Sequence, residues 1–209
     1  MSERAKLINI DSDLEFAIGE AIKIYHSAGI FIYPTDTIYG FGCNPFNDRA
    51  LQTLNRIKSR GEQKQYILLV DSVSTLLNYI DLNDDQIIKM LQNIWPNPIS
   101  FIFKLNHKTR NLLQYDVAAF RIPKNNFCLD LLSQLKTPLV STSVNLSNQQ
   151  PLNDYPSIKN EFADKVNIIF FTNETENIGA STLVDLTKKT PKILREGKIN
   201  FMELWQKLC

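Results

Sequence analysis

The feature that most constrains the fold is an alternation between segments with helical periodicity and short apolar runs. The first segment places apolar residues on one side of a helix: Leu14, Ala17, Ile18, Ala21, Ile22 and Tyr25. This pattern predicts a helix that begins after a cap at Asp11 or Ser12 and ends at Gly29. The apolar run 30–33, stopped by Pro34, predicts a buried strand that leads into a loop. Because this order repeats along the chain, we expect an α/β protein.

The same two patterns predict the remaining elements. Further helices are expected at 49–58, 75–80, 84–94, 127–135 and 201–209. Further strands are expected at 66–70, 99–105, 117–122, 139–140, 168–171, 183–186 and 193–194. Several connections are too short for a crossover helix, so the sheet is predicted to be mixed. The polar stretch 148–154 is predicted to be a long, mobile loop, and residues 1–209 are predicted to form a single domain.

The composition limits the classes of function. The chain has 23 Lys and Arg and 22 Asp and Glu, a net charge of +1, so it lacks the broad positive field of a nucleic-acid coat protein. Cys43, Cys128 and Cys209 form no CxxC pair, which argues against a disulfide framework or a zinc site. No segment approaches the roughly 20 apolar residues of a membrane span, and no signal peptide is recognisable. We expect a soluble, cytoplasmic protein with no membrane partner.

Two polar clusters in the first third of the chain are candidate sites, because each lies beside a predicted strand. Segment 34–42 holds two hydroxyls and a carboxylate between a proline and two glycines, so its backbone can approach a ligand. A plain strand-to-helix turn explains it equally well. Lys58, Arg60 and Lys64 form the second cluster and could hold polyphosphate oxygens, although a solvated helix end is the simpler interpretation.

Two further clusters lie in the second half of the chain. Arg121 is a lone cation in the apolar run 118–123, so it needs an anionic side chain or an anionic ligand. Segment 141–147 is rich in hydroxyls and amides, which bind phosphate, ribose or carboxylate, or simply form turns and caps. His26 and His107 neighbour no other candidate ligand or nucleophile. We therefore interpret both histidines as structural and expect neither a zinc site nor a hydrolytic triad.

Taken in order, these clusters resemble the TsaC/YrdC family, the threonylcarbamoyl-AMP synthases. Six motifs carry the resemblance: PT(D/E)TxYGLG at 34–42, KxR at 58–60 followed by Lys64, R-x-P at 121–123, SxN at 143–145, STxVD at 181–185 and R-x-G at 195–197. Each motif is weak alone. Six in the same order, across about residues 15 to 200, make the resemblance specific.

The resemblance implies a YrdC-like twisted mixed sheet with flanking helices around an open basic cavity. It also implies a nucleotidyltransferase. L-Threonine and bicarbonate would give a carbamate that attacks the α-phosphate of ATP, with Mg²⁺ present, and pyrophosphate would be released. The product would pass to separate threonylcarbamoyl-transferase proteins that modify tRNA, and direct contact with tRNA or other RNA is a further option. This chain resembles the short form of the family, which has no second domain.

The resemblance also assigns roles to residues. It implies that L-threonine is held by Thr37, Arg121, Ser141 and Ser181, with Arg121 pairing the carboxylate. It implies that ATP is surrounded by Lys58, Arg60, Lys64, Ser143, Asn145 and Arg195, with Lys58 and Arg60 catalytic and exposed to the cavity. No protein-bound metal is implied. Such a reaction depends on positioning and charge neutralisation and needs no protein nucleophile.

The chain departs from the family pattern at a few positions, and two alternatives remain open. Gly61 replaces a proline and 65–66 replace a Pro-Leu pair, while Asn97 and Ser100 replace a glycine and a threonine; these changes bear on the shape of the nucleotide pocket. One alternative is a YciO-like paralogue of unsettled activity, a group that tends to lack the KxR and SxN pairs. The other is a non-catalytic RNA-binding module, against which the net charge of +1 argues.

Overall fold

The computed structural model describes residues 4–59, 66–173, 179–188 and 190–208, and shows a ten-stranded sheet flanked by helices. The strands are β1 (Lys6–Asn9), β2 (Phe31–Tyr33), β3 (Gly40–Gly42), β4 (Ile67–Leu69), β5 (Ile99–Lys104), β6 (Val117–Arg121), β7 (Leu139–Ser143), β8 (Ile168–Phe171), β9 (Thr182–Asp185) and β10 (Lys192–Arg195). The helices are α1 (Leu14–His26), α2 (Asp48–Ile57), α3 (Val73–Leu77), α4 (Asp85–Ile94), α5 (His107–Leu113), α6 (Asn126–Leu135), α7 (Tyr155–Phe162) and α8 (Phe201–Leu208).

The strand order is β1-β8-β2-β3-β7-β4-β6-β5-β9-β10. The pairs β1–β8, β2–β8, β4–β6 and β5–β9 are parallel, and the other neighbouring pairs are antiparallel. The predicted mixed α/β sheet is therefore confirmed.

Side chains of β2 are buried on both faces of the sheet, which explains its uninterrupted apolar sequence. Ile32 belongs to the larger apolar core, whereas Phe31 and Tyr33 belong to a second core on the opposite face. That second core also contains side chains of α1 and α6, such as Ala17 and Leu131. These two helices therefore cover the sheet face around β2 and β8.

Strands β5 and β6 bury only alternate residues in the larger core. Phe101 and Phe120, which pair across the two strands, both lie in that core. Because side chains alternate along a strand, Ile102, Ala119 and Arg121 face the other way. This part of the second face lines a cavity instead of packing against a helix.

Helix α1 begins one or two residues later than predicted. Its cap is Asp13, whose carboxylate accepts a hydrogen bond from the Phe16 amide at 2.9 Å. The predicted cap Asp11 has another use: its carboxylate accepts hydrogen bonds from the hydroxyl of Thr172 and the amide of Asn173. A long-range contact has therefore replaced the local one.

Four elements were not predicted: β1, β3, α5 and α7. The Gly-Phe-Gly sequence of β3 resembles a turn, yet a Cβ at Gly42 would lie 2.6 Å from the ring of Phe31, so glycine permits close packing of β3 on β2. Helix α7 begins after a cap at Asp154, the last residue of the predicted loop 148–154. That segment is irregular as predicted, and its mobility stays a prediction.

The predicted C-terminal helix is confirmed as α8, apart from Cys209, which lies outside the described residues. Among the helices that the structure describes, none combines the length and the apolar character needed to cross a bilayer.

Candidate functional site

A cavity of about 380 Å³ lies on the sheet face that α1 and α6 leave uncovered. One row of paired residues crosses its floor: Ile102 pairs with Ala119, Ala119 with Ile67, and Ile67 with Ser141. Strands β5, β6, β4 and β7 each contribute one residue to this row. The floor is therefore built on regular sheet, which holds its side chains in fixed positions.

The cavity brings together residues that are far apart in the chain. Eight of the ten predicted site residues line it: Thr37, Lys58, Arg121, Ser141, Ser143, Asn145, Ser181 and Arg195. The other two, Arg60 and Lys64, lie outside the described residues, as do Gly61 and Gln65. The predicted convergence of Lys58, Arg121 and Arg195 is thus observed, while the roles of the individual residues stay predictions.

Arg121 has an anionic partner inside the protein. Its Nη1 lies 3.0 Å from Oδ1 of Asp36, and the two side chains are only 3% and 5% exposed. The sequence left open whether this cation meets an anionic side chain or an anionic ligand, and the structure shows the side chain. The motifs assign no role to Asp36, although it is the only charged residue in segment 34–42.

The remaining donors of Arg121 are not used within the described part of the chain. Nη1 donates to the hydroxyl of Thr37 at 3.2 Å. Nε is buried and makes no hydrogen bond to any described residue, and no such bond is formed by Nη2. The Nε and Nη2 edge of a guanidinium is a planar fork that matches a carboxylate.

A chain of hydroxyls fixes the orientation of Thr37. The hydroxyl of Thr35 donates to the carbonyl of Ile38 at 2.8 Å and lies 2.9 Å from that of Thr37. Because the Thr35 proton is already used, the Thr37 hydroxyl is the donor of this pair, and it accepts from Arg121. Thr37 therefore keeps one lone pair with which to accept a hydrogen bond in the cavity.

Lys58 borders the cavity but is almost fully buried. The residue is 3% exposed. Its Nζ donates to the Ser143 carbonyl at 2.6 Å, and to the Asn145 carbonyl and Oδ1 at 2.9 Å each. All three of these acceptors belong to residues 143 and 145. Lys58 therefore holds the segment that follows β7.

The Ser-Val-Asn motif completes the same network. The hydroxyl of Ser143 donates to Oδ1 of Asn145 at 2.7 Å, and Nδ2 of Asn145 donates to the Gln149 carbonyl at 2.6 Å. The amide of Ser147 donates to the Lys58 carbonyl at 2.9 Å. We call Lys58, Ser143 and Asn145 the lysine–asparagine unit. Its members bond mainly to one another and so shape one wall of the cavity.

Arg195 and Ser181 form the opposite part of the lining. Nε of Arg195 donates to the Ser181 carbonyl at 3.0 Å, and Nη2 donates to the Ser181 hydroxyl at 3.1 Å. Partial desolvation, and secondly the positive charge of Arg121, lower the pKa of Arg195. The buried hydroxyl of Ser100 lies 3.0 Å from that of Ser181. Ser100 was noted only as a departure from the family pattern, but its hydroxyl contacts a predicted site residue.

Gly197 allows the Arg195 segment to pack against Ser181. A Cβ at Gly197 would lie 2.3 Å from the Ala180 carbonyl oxygen and 2.5 Å from the Thr182 amide nitrogen. These are backbone atoms that cannot swing aside, so we expect Gly197→Ala to lower the free energy of unfolding by about 1–3 kcal/mol. Urea denaturation measures this change.

The control for this substitution is Gly19→Ala in α1. A Cβ at Gly19 meets nothing within 4 Å. Alanine favours a helix over glycine by up to about 1 kcal/mol, so the control variant should be slightly more stable than the wild type. Equal stability of the Gly197→Ala variant and the wild type would contradict the steric argument.

Other reactive side chains lie apart from the cavity. Burial raises the pKa of the Cys43 and Cys128 thiols, which keeps both protonated near neutral pH. His26 and His107 are exposed and are not part of the cavity lining. The groups available in the described lining are therefore cations, hydroxyls and amides.

A mixed sheet that carries a cavity lined by three cations and several hydroxyls defines an α/β protein with a cationic binding site. The chain belongs to the Sua5/YciO/YrdC family. The sequence model of that family, which carries the description "Telomere recombination", matches residues 23–197.

Solved structures share this fold. Sua5 from P. abyssi, complexed with L-threonine, is 23% identical with a TM-score of 0.85; the match covers 98% of this chain but 61% of that one. YciO from E. coli is 26% identical with a TM-score of 0.81, over 95% and 97% of the two chains. Full-length HypF in its phosphate- and nucleotide-bound form is 17% identical with a TM-score of 0.72, over 85% and 28%. The predicted YrdC-like fold is confirmed.

Proposed function

We propose that this protein is a nucleotidyltransferase that makes threonylcarbamoyl-AMP from L-threonine, bicarbonate and ATP. One observation carries the proposal: in a cavity lined by cations, the Nε and Nη2 edge of Arg121 makes no hydrogen bond to the described residues. That edge suits the carboxylate of an amino acid. The shared fold with P. abyssi Sua5, whose structure contains L-threonine, supports the choice of amino acid.

In this proposal the amino acid lies beside Arg121. Its carboxylate accepts two hydrogen bonds from the guanidinium, and Thr37 offers its remaining lone pair to a donor of the substrate. Ser141 and Ser181 line the same cavity and supply further hydroxyls. A site built to hydrogen-bond polar groups of the substrate rejects analogues that lack them.

The nucleotide lies beside the amino acid, with its phosphates near Arg195 and, as the family resemblance implies, near Arg60 and Lys64. The carbamate oxygen attacks the α-phosphorus, a new P–O bond forms, and the bond to the leaving pyrophosphate breaks. Fixed cations stabilise the charge that develops on the phosphate oxygens. Mg²⁺ would be held by the triphosphate oxygens and water, the ligands it commonly uses at nucleotides.

The lysine–asparagine unit has an indirect role in this scheme. Because its polar groups bond to one another, Lys58 positions the segment 143–149 that borders the nucleotide. The product is a mixed anhydride, which is labile, so a separate transferase acting on tRNA adenosine would consume it. The finding that HypF shares this fold in a nucleotide-bound form supports a nucleotide site.

A YciO-like paralogue is the second candidate, because the match between this chain and E. coli YciO covers nearly the whole length of both. The KxR and SxN motifs favour the synthase, since Lys58, Ser143 and Asn145 are all present and bonded together. An RNA-binding module is the third candidate, and the net charge of +1 does not favour it.

The proposal predicts pyrophosphate release in a mixture of protein, ATP, Mg²⁺, L-threonine and bicarbonate that contains no RNA. Release should fall to background when threonine is omitted, and should fall in buffer depleted of CO₂ and bicarbonate. Pyrophosphate release that does not depend on threonine would contradict the proposal. So would release from the complete mixture that is no higher than the background. A gel-shift assay with tRNA tests the RNA-binding candidate separately.

A further inference from the structure

Asp36 does not line the first cavity, whereas its partner Arg121 does. Asp36 borders a second cavity of about 540 Å³, which shares the wall 37–39 with the first. Both carboxylate oxygens are nevertheless shielded from solvent and accept no hydrogen bond from the described residues. Their closest charged contact is Nη1 of Arg121 at 3.0 Å. Asp36 can therefore influence a ligand in the first cavity through its pairing with Arg121 and through its charge, but not by direct contact.

Among the described residues, the lining of the first cavity offers no negative charge to balance its cations. Its described lining includes Lys58, Arg121 and Arg195 and no carboxylate. Lys58 donates to carbonyl oxygens, and the pKa of Arg195 is lowered first by desolvation and secondly by the positive charge of Arg121. An unpaired buried guanidinium would strongly destabilise the empty site. Asp36, behind Arg121, supplies the counter-charge.

We infer that Asp36 is a positioning residue that acts as the fixed counter-ion of Arg121 and weakens the attraction of Arg121 for a substrate carboxylate. Asp36 occupies the Nη1 side of the guanidinium and leaves the Nε and Nη2 edge to the ligand. Two carboxylates on one guanidinium lie a few ångströms apart and repel each other. Asp36 thus stabilises the empty site and lowers its affinity for the substrate. The identity of that substrate rests on the proposed function.

Asparagine in place of Asp36 separates charge from shape. Asp36→Asn keeps the size of the side chain and an oxygen that can face Nη1, but removes the negative charge. We expect calorimetric titration to show about tenfold tighter binding of L-threonine, equivalent to about 1.4 kcal/mol, and a change of less than about twofold for L-threonine amide. General damage to the site would weaken both ligands, so tightening of one alone identifies the counter-ion.

Asp11→Asn is the matched control. Asp11 borders the same second cavity, but its carboxylate bonds to Thr172 and Asn173 instead of Arg121. This variant should bind L-threonine as the wild type does. Unchanged or weaker binding of L-threonine by folded Asp36→Asn would overturn the inference, and so would equal tightening in Asp11→Asn.

A stability cycle tests the inference without any ligand. Asp36→Asn should lower the melting temperature of the wild type but raise that of an Arg121→Gln variant, in which Asp36 is a buried charge without its partner. If Asp36→Asn alone does not fold, a folded variant that carries both Asp36→Asn and Arg121→Gln supports the same conclusion. Equal decreases in both backgrounds would overturn it. If wild-type protein does not bind L-threonine, the proposed function fails, while this cycle still tests the counter-ion.

Discussion

Arg121→Ala is expected to abolish threonine-dependent pyrophosphate release and to lower the free energy of unfolding by about 3–5 kcal/mol. Pyrophosphate release is lost because the guanidinium that would bind the threonine carboxylate has been removed. Stability is lost because Asp36, 5% exposed, is left as a buried charge without its partner. Titration with L-threonine and urea denaturation measure the two effects.

A double variant separates these two effects of Arg121. Arg121→Gln combined with Asp36→Asn removes both charges, so most of the lost stability should return. Threonine dependence should not return, since glutamine offers no charged fork. Wild-type affinity for L-threonine in Arg121→Ala would refute the role given to this arginine in the proposed function.

Lys58→Ala is expected to reduce both activity and stability. The Ser143 and Asn145 carbonyls would lose the Lys58 donor, whereas Oδ1 of Asn145 would keep the Ser143 hydroxyl. We expect a total loss of about 1–3 kcal/mol, because these acceptors are only partly buried beside the cavity. Pyrophosphate release should fall at least about 100-fold, an effect typical of losing a fixed group at a charge-stabilising site.

Lys23→Ala is the control for Lys58→Ala. Lys23 is 74% exposed and pairs with Glu20 on the surface, so its removal should cost less than about 1 kcal/mol. If Lys58→Ala were as stable as Lys23→Ala but inactive, Lys58 would act on the nucleotide directly, as the sequence alone suggested. The expected effect of Arg60→Ala on activity stays a prediction from the sequence.

Much of the fold could be predicted because apolar periodicity reports burial. The run at 30–33 is apolar throughout since both faces of β2 are covered, and Arg121 interrupts its strand since one face of β6 borders the cavity. Strand β3 was missed because glycine indicates a turn from local preference, whereas here it allows close packing against Phe31. The decisive contact is between strands, and a local pattern does not record it.

The site was predicted as a set of residues but not as a network. Six motifs in order indicated which side chains would converge. They did not indicate that Asp36 pairs with Arg121, or that Lys58 is buried. Lys58 bonds largely to backbone carbonyls, which every residue possesses, so no side chain in the sequence signals the contact. Hydrogen bonds to the backbone become visible only when the chain is folded.

The lysine–asparagine unit has an evolutionary consequence. The side chains of Lys58 and Asn145 bond to each other across 87 positions of sequence, so replacing either residue removes a contact of the other. Relatives that have lost the lysine are under no pressure from this contact to keep the asparagine. The two positions should therefore be inherited as a pair, kept together in some lineages and discarded together in others.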